Sequence, residues 1–191
     1  MATHRLTFPT TEERIRELRA GDEVTVDGHV IGIRDRTQIR IFDQGMEPPM
    51  DLTGAFLLHT APGVRKLEDG RYEKVCIGTT TSARMVRFTE PLGERYGVRA
   101  ICGKGGFPDE AIEPMRRLGM VYFAIVGGAA ALETTQIEEV AWEELMPECL
   151  WKFRVKDFGP LTVGIDAHGN SLYHDVQAAA RERLEEIFAR L

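Results

Sequence analysis

At 191 residues the chain is long enough to bury a sizeable hydrophobic core, and we expect a single domain over residues 1–191. Hydrophobic residues make up 43% and charged residues 28% of the sequence, which is ordinary for a globular protein, and no apolar run approaches the roughly 20 residues of a membrane span. A net charge of −6 argues against general nucleic-acid binding, and the first residues lack the apolar stretch of a secretory signal, so we expect a cytoplasmic protein.

Hydrophobic periodicity and turn residues divide the chain into short elements. In the first half, the predicted elements are a helix over 10–20, a hairpin over 23–33 turning at Asp27-Gly28, a helix over 38–42, and strands over 55–59 and 72–77. In the second half, they are a helix beginning near 82, a strand over 98–102, a helix over 109–118, strands over 120–126, 151–155 and 161–165, and a C-terminal helix. This mixture predicts an α/β or α+β fold with a central sheet or partly closed barrel flanked by helices.

The C-terminal helix carries an apolar stripe at helical spacing. Its members are Val176, Ala180, Leu184, Ile187, Phe188 and Leu191.

The most informative segment is Gly78–Met85, with the sequence GTTTSARM, which follows an apolar run and leads into a predicted helix. Its hydroxyls and unpaired backbone N–H groups would bind an anion at the positive end of the helix dipole. Arg84, one turn into the helix, would add a bidentate clamp on a carboxylate. An ordinary helix N-cap with a solvent-facing arginine explains the same residues, and the segment alone does not decide between the two.

Three further segments are candidates for anion binding. The glycines of Gly103–Gly106 allow a ligand to approach Lys104 closely, although the segment lacks the other residues of a P-loop and a plain turn remains open. Arg34 ends an earlier strand and is either oriented by the carboxylate of Asp35 or part of a surface pair of little energy. Residues Gly127–Ala131 form either a phosphate-binding nest or a site of tight packing. Together the segments supply three cations for one small anionic ligand.

The cysteines and histidines do not indicate a metal site in this chain. Cys76, Cys102 and Cys149 are widely separated and include no CxxC pair. Cys76 and Cys102 end apolar runs, where a buried and inert thiol is typical. His168 lies in Asp166–Asn170, whose residue types favour a tight turn over a catalytic role.

In combination, these segments resemble a known family, the β subunit of iron–sulfur hydro-lyases, which comprise the class I fumarases and the L(+)-tartrate dehydratases. The matching motifs are Arg34-Asp35, Gly78–Met85, Gly103–Gly106 and Gly127-Gly128. Segments 51–54, 64–66 and 147–170 look closer to the tartrate dehydratase β subunit. The resemblance covers most of the chain, over residues 10–175.

The resemblance implies a swivelling β/β/α domain that reversibly adds or removes water on a C4 dicarboxylate. In that family a separate α subunit, or an N-terminal domain, holds a [4Fe–4S] cluster, so this chain would be active only with an α partner. A homodimer or an α2β2 assembly is compatible with this, and no nucleic acid or membrane is implied. The residues that would bind the substrate are Arg34, Thr80, Thr81, Arg84 and Lys104. Of these, Thr80, Arg84 and Lys104 would be catalytic, with Thr80 in proton transfer.

Three positions depart from the family pattern, which usually has His at Gln38, Gly at Ala61 and Pro at Thr79. Gln38 removes an imidazole that could carry a proton or orient the arginine. Because the clamp residues are intact, the departures bear on the substrate more than on the reaction type. The main alternative is a non-catalytic dicarboxylate- or partner-binding paralogue that has lost turnover. A stand-alone isomerase or phosphatase acting on a sugar phosphate finds no base or metal site in this sequence.

Overall fold

The computed structural model describes residues 1–126 and 135–189. The helices and strands, in chain order, are β1 (Thr3–Phe8), α1 (Glu12–Arg16), β2 (Glu23–Ile33), α2 (Asp35–Phe42), β3 (Phe56–His59), β4 (Gly63–Lys66), β5 (Tyr72–Cys76), α3 (Thr89–Tyr96), β6 (Ala100–Gly103), α4 (Ile112–Leu118), β7 (Val121–Ala124), β8 (Thr135–Ala141), β9 (Leu150–Ile165) and α5 (Leu172–Phe188). Within the described residues, short 3₁₀ segments lie at Ala83–Phe88, Asp109–Ala111 and Glu143–Leu145. Among the helices of these residues, none is both long and apolar enough to cross a bilayer.

Five strands close into a barrel. Strands β2, β3, β6 and β7 are parallel and adjacent in that order, and β9 closes the barrel by pairing antiparallel with both β7 and β2. Strand β1 pairs with β2, β8 pairs with β9, and β4 and β5 form a separate hairpin. The mixed α/β class predicted from the sequence is confirmed. Because four neighbouring strands run in one direction, their carboxyl ends meet at one rim of the barrel.

Both faces of the barrel wall are buried. Phe56 and Leu58 of β3 belong to one core cluster, which draws residues from all five barrel strands and fills the interior. The intervening Leu57 belongs to a second cluster, together with Leu92 of α3 and Met115 of α4. This alternation follows from the period of two in a strand, with side chains on one face filling the barrel and those on the other packing under helices.

Two predicted strand pairs are single strands in the structure. The hairpin predicted over 23–33 is wrong, because β2 runs straight through Asp27-Gly28. Gly28 has a φ of +97°, and a Cβ there would lie 2.2 Å from the Phe8 carbonyl oxygen, so close packing against β1 requires the glycine. The strands predicted over 151–155 and 161–165 are likewise one strand, β9, whose pairing with β2 contains register shifts. Bulges and tight turns use the same residue types, so the local sequence does not distinguish them.

The remaining elements differ from the prediction mainly in extent. The helix predicted from residue 82 is a 3₁₀ segment that continues as α3, whereas β1, β4 and β8 were not predicted. The glycine-rich segment Gly127–Ala131 lies outside the described residues. Helix α5 forms where expected, but none of its described side chains is buried.

Candidate anion-binding site

The predicted clamp residues lie at the ends of three adjacent parallel strands, β2, β3 and β6. Arg34 comes directly after β2, and Lys104 comes directly after β6. The threonine segment lies between the ends of β3 and β6, because the Thr80 N–H donates to the His59 carbonyl at 2.8 Å and the Lys104 N–H donates to the Thr80 carbonyl at 3.2 Å. The fold therefore brings segments far apart in the chain to the same rim of the barrel, where α/β proteins commonly bind ligands.

Arg84 uses most of its donors within this rim. Its Nε and Nη2 donate to the two carboxylate oxygens of Asp35 at 2.7 and 2.6 Å. Nη2 also donates to Thr80 Oγ1 at 3.2 Å, and Nη1 donates to the Thr81 carbonyl at 3.0 Å. A guanidinium has five N–H donors, so one remains for a further acceptor. Asp35, a residue of this chain, therefore occupies the pair of guanidinium donors that were predicted to bind a carboxylate of the ligand.

Arg34 lies beside the same acid without a hydrogen bond to it. Its Nε is 3.3 Å from Asp35 Oδ2 and 3.8 Å from Glu148 Oε1. This Nε is buried and has no hydrogen-bond partner among the described residues. Its backbone is held by Thr37, whose hydroxyl accepts from the Arg34 N–H at 2.9 Å. A buried donor without a partner is costly, so the position favours an incoming acceptor.

The charge balance at the rim is positive. Lys104 is half-buried, and its ammonium forms no ion pair with any residue in the described part of the chain. Three cations, Arg34, Arg84 and Lys104, face two carboxylates, Asp35 and Glu148, which leaves one positive charge in excess. Burial raises the pKa of the Asp35 carboxyl, but hydrogen bonds and charge from Arg84 outweigh burial and hold that pKa below its usual value. Asp35 therefore stays ionised, and the excess charge is available for an anion.

A buried polar layer beneath the rim supports the threonine segment, and the sequence analysis did not single it out. Ser82 Oγ lies 2.9 Å from His59 Nδ1 and accepts a hydrogen bond from the Tyr122 hydroxyl at 3.2 Å. Burial lowers the pKa of His59 to about 3, so its imidazole is neutral at physiological pH. In the sequence, the only indication of a role for His59 is that it is a polar residue at the end of an apolar strand.

Gly103 packs directly against this layer, which leaves no space for a side chain at that position. A Cβ there would lie 2.0 Å from Ser82 Oγ and 3.1 Å from the Thr80 carbonyl oxygen. We expect Gly103→Ala to lower the free energy of unfolding by about 1–3 kcal/mol, as overpacking does. Adding Ser82→Ala should recover part of this loss, because it removes the overlapping oxygen. Denaturant unfolding of both variants measures the effect.

The matched control for Gly103→Ala is Gly78→Ala. A Cβ at Gly78 would meet only the Ala61 carbonyl oxygen, at an ordinary 3.6 Å. Equal stabilities of the Gly103→Ala and Gly78→Ala variants would contradict the overlap with Ser82.

The residues that depart from the family pattern pack behind the clamp. Gln38 is buried, and its Nε2 donates to Met85 Sδ at 3.0 Å and approaches the Arg34 carbonyl at 3.5 Å. Thr79 is buried opposite Thr60, and its hydroxyl has no partner among the described residues. Gln38 therefore supports Arg34 and the 3₁₀ segment from below.

His168 lies away from the rim. The Asp166 carboxylate accepts from the backbone N–H of His168 and of Asn170, each at 2.9 Å, which confirms the predicted turn. This turn follows β9, which runs antiparallel to the other barrel strands, so His168 lies at the opposite end of the barrel.

The cysteines are separated in space as well as in sequence. Cys102 and Cys149 are buried, whereas Cys76 is exposed, so the expectation of a buried thiol at Cys76 is wrong. Burial raises the pKa of the Cys102 thiol well above its ordinary value. Within residues 1–126 and 135–189, no three His, Cys, Asp or Glu side chains gather in a group that could hold a metal ion.

Comparison with known proteins agrees with this architecture. The family described as "Fumarase C-terminus" matches residues 2–176. The chain is 38% identical over 186 residues to the L(+)-tartrate dehydratase subunit beta of Escherichia coli (strain K12), covering 95% of this chain and 92% of that protein. It is 35% identical over 185 residues to a putative L(+)-tartrate dehydratase subunit beta of Methanocaldococcus jannaschii, covering 93% and 94%.

A longer relative contains the same unit. The chain is 36% identical over 185 residues to a putative fumarate hydratase class I of Geobacillus stearothermophilus, and it spans 35% of that protein's length. The match over nearly all of the chain, in both short and long relatives, is decisive. The chain belongs to the fumarase C-terminus family.

Proposed function

We propose that this chain is the β subunit of a hydro-lyase, which reversibly adds or removes water on a C4 dicarboxylate and is active only with an α subunit. The names of its relatives, tartrate dehydratase subunit beta and fumarate hydratase class I, support the reaction class. The observation that carries the proposal is the gathering of Arg34, Arg84 and Lys104 on one rim beside the Thr80 and Thr81 segment.

In this proposal the rim binds the two carboxylates of the substrate. Loss or gain of water beside a carboxylate builds negative charge on that carboxylate in the transition state. Arg34, whose Nε has no hydrogen-bond partner among the described residues, and Lys104 supply fixed positive charge for it. Asp35 holds the Arg84 guanidinium in one orientation, so little reorganisation is needed when the substrate arrives.

We assign a proton-handling role to Thr80. Its Oγ1 accepts a hydrogen bond from Arg84 Nη2 at 3.2 Å. A guanidinium at this distance stabilises negative charge on the threonine oxygen when its proton moves toward or away from the substrate. Thr81 has a different part, because its carbonyl holds Arg84 Nη1 while its hydroxyl remains available to the substrate.

We propose that the [4Fe–4S] cluster of such an enzyme is held by the α subunit. The residues described here do not fit a cluster, because Cys102 and Cys149 are buried among core side chains, Cys76 is exposed on the β4–β5 hairpin, and the described His, Cys, Asp and Glu side chains form no group of three that could hold a metal ion. All three thiols are free, which is typical of a reducing compartment, and we therefore place the complex in the cytoplasm.

The test is reconstitution. The chain is co-expressed with an α subunit from the same organism, recognisable by three separated cysteines, and assayed anaerobically on tartrate, malate, fumarate and methylated analogues. We expect turnover of at least one diacid by the pair and none by the isolated chain. A pair that assembles with its cluster and turns over none of them would contradict the proposal.

A further inference from the structure

Helix α5 leaves the barrel with its apolar side uncovered. Val176, Leu184, Ile187 and Phe188 are between 49% and 65% exposed. At about 100° per residue, these four side chains lie on one side of the helix. Large apolar side chains exposed together on one face mark an interaction surface. We call these four residues the α5 face.

We propose that the α5 face docks the α subunit, the partner that completes the anion site. This inference rests on the proposed function, which requires such a partner. A shallow groove of about 300 Å³ runs from the chain neighbours of the clamp residues to the first two turns of α5. Its lining includes Ala83, Gly105, Gly106, Asp109, Tyr173 and His174.

The groove is continuous with the clamp at one end and with α5 at the other. Ala83 precedes Arg84, and Gly105 follows Lys104. On the α5 side, His174 Nε2 lies 2.6 Å from Asp109 Oδ1, which ties the first turn of the helix to the wall of the groove. A subunit that covers Arg84 and Lys104 and excludes water from them therefore meets the start of α5 as well.

The size of the α5 face argues against a second copy of this chain as its occupant. A stable interface of standard size uses about 20–30 residues on each side, many more than one short helix face provides. The face therefore serves as part of a larger contact, such as one centred on the anion site.

Charge at the borders of the face argues further against a second copy of this chain. Arg181 and Arg183 are the nearest charged residues on either side of it, and Glu182 and Glu186 lie on the opposite side of the helix. Two copies packed face to face would bring arginines together along one seam. An apolar patch bordered by carboxylates on the α subunit would instead be attracted.

The test measures assembly separately from turnover. We compare binding of the purified α subunit to the full chain and to the double variant Leu184→Asp/Ile187→Asp, by calorimetry. We expect binding at least about tenfold weaker for the variant, because two central apolar side chains become charged. The control is Ala178→Asp/Ala179→Asp, which adds the same charges to exposed positions of the same helix away from the face and should bind normally.

The outcomes are distinguishable. Equal affinity for all three chains, or equal weakening by both double variants, would overturn the inference. Loss of self-association by Leu184→Asp/Ile187→Asp in light scattering, with unchanged α binding, would assign the face to a second copy and overturn it too. If the wild-type pair binds as expected but turns over no diacid, the proposed function fails while the docking face stands.

Discussion

Replacing Arg84 with alanine should reduce kcat/KM of the α–β complex by about 10²–10³-fold, the size of effect seen when one donor to a developing negative charge is removed. Arg84 contacts Asp35 through two donors and Thr80 through a third, so its loss removes charge and disorders the proposed proton carrier together. Steady-state kinetics on the best diacid measures the effect. Co-purification with the α subunit should persist, because Arg84 is one side chain of a much larger contact.

Arg87 provides the matched control for Arg84. It lies three residues further along, pairs with Asp43 at 2.6 Å and covers the Phe88 ring at 4.0 Å, away from the threonine segment. Arg87→Ala should leave kcat/KM within a few-fold of wild type, as expected for an exposed ion pair. Arg84→Lys should lie between Arg84→Ala and wild type, because it keeps the charge but not the two parallel hydrogen bonds to Asp35. Unchanged kcat/KM in Arg84→Ala would show that the Arg84 guanidinium takes no part in the reaction.

Strands β3, β6 and β7 were predictable from the sequence because they are buried in the barrel wall. Strands β3, β6 and β7 are covered on both faces, so they appear in the sequence as short apolar runs with turn residues after them. Strands β1 and β8, with the sequences THRLTF and TQIEEVA, lie at the ends of the sheet and carry polar side chains. Polar residues on edge strands discourage aggregation, and they also remove the hydrophobic signal on which prediction depends.

The clamp was predictable for a related reason. Arg34 and Lys104 each follow a buried strand, and the parallel arrangement of β2, β3 and β6 brings the ends of these strands together. The threonine segment follows the largely exposed strand β5 and reaches the rim through backbone hydrogen bonds to His59 and Lys104. The pairing of Asp35 with Arg84 was not predictable, since the two are 49 residues apart and nothing local to either specifies the other. The same holds for His59 and Ser82, whose contact exists only because the threonine segment lies on the end of β3. Residues that contact ligand can be recognised by type and spacing, whereas those that hold them in place depend on tertiary packing.

Lys104→Ala should reduce kcat/KM by about 10²-fold, with much of the loss appearing as a higher KM, because the ammonium contributes a point charge to carboxylate binding. The loop itself should survive the change. The Lys104 N–H donates to the Thr80 carbonyl at 3.2 Å, and its carbonyl accepts from the Ser82 N–H at 3.1 Å, so the side chain is not needed to hold the backbone. The melting temperature should therefore change little, in contrast to Gly103→Ala.

Four comparisons separate the loss of the Lys104 charge from a general effect of the substitution on the protein. Lys104→Arg should retain more activity than Lys104→Ala, and added propylammonium should restore part of the activity of Lys104→Ala by supplying the missing cation. Lys156→Ala, on an exposed position of β9, removes the same charge elsewhere and should leave the kinetics unchanged. Higher ionic strength should weaken binding in wild type more than in Lys104→Ala, since salt screens a charge that the variant no longer has. A Lys104→Ala complex with wild-type KM and kcat would show that the third cation of the rim takes no part in the reaction.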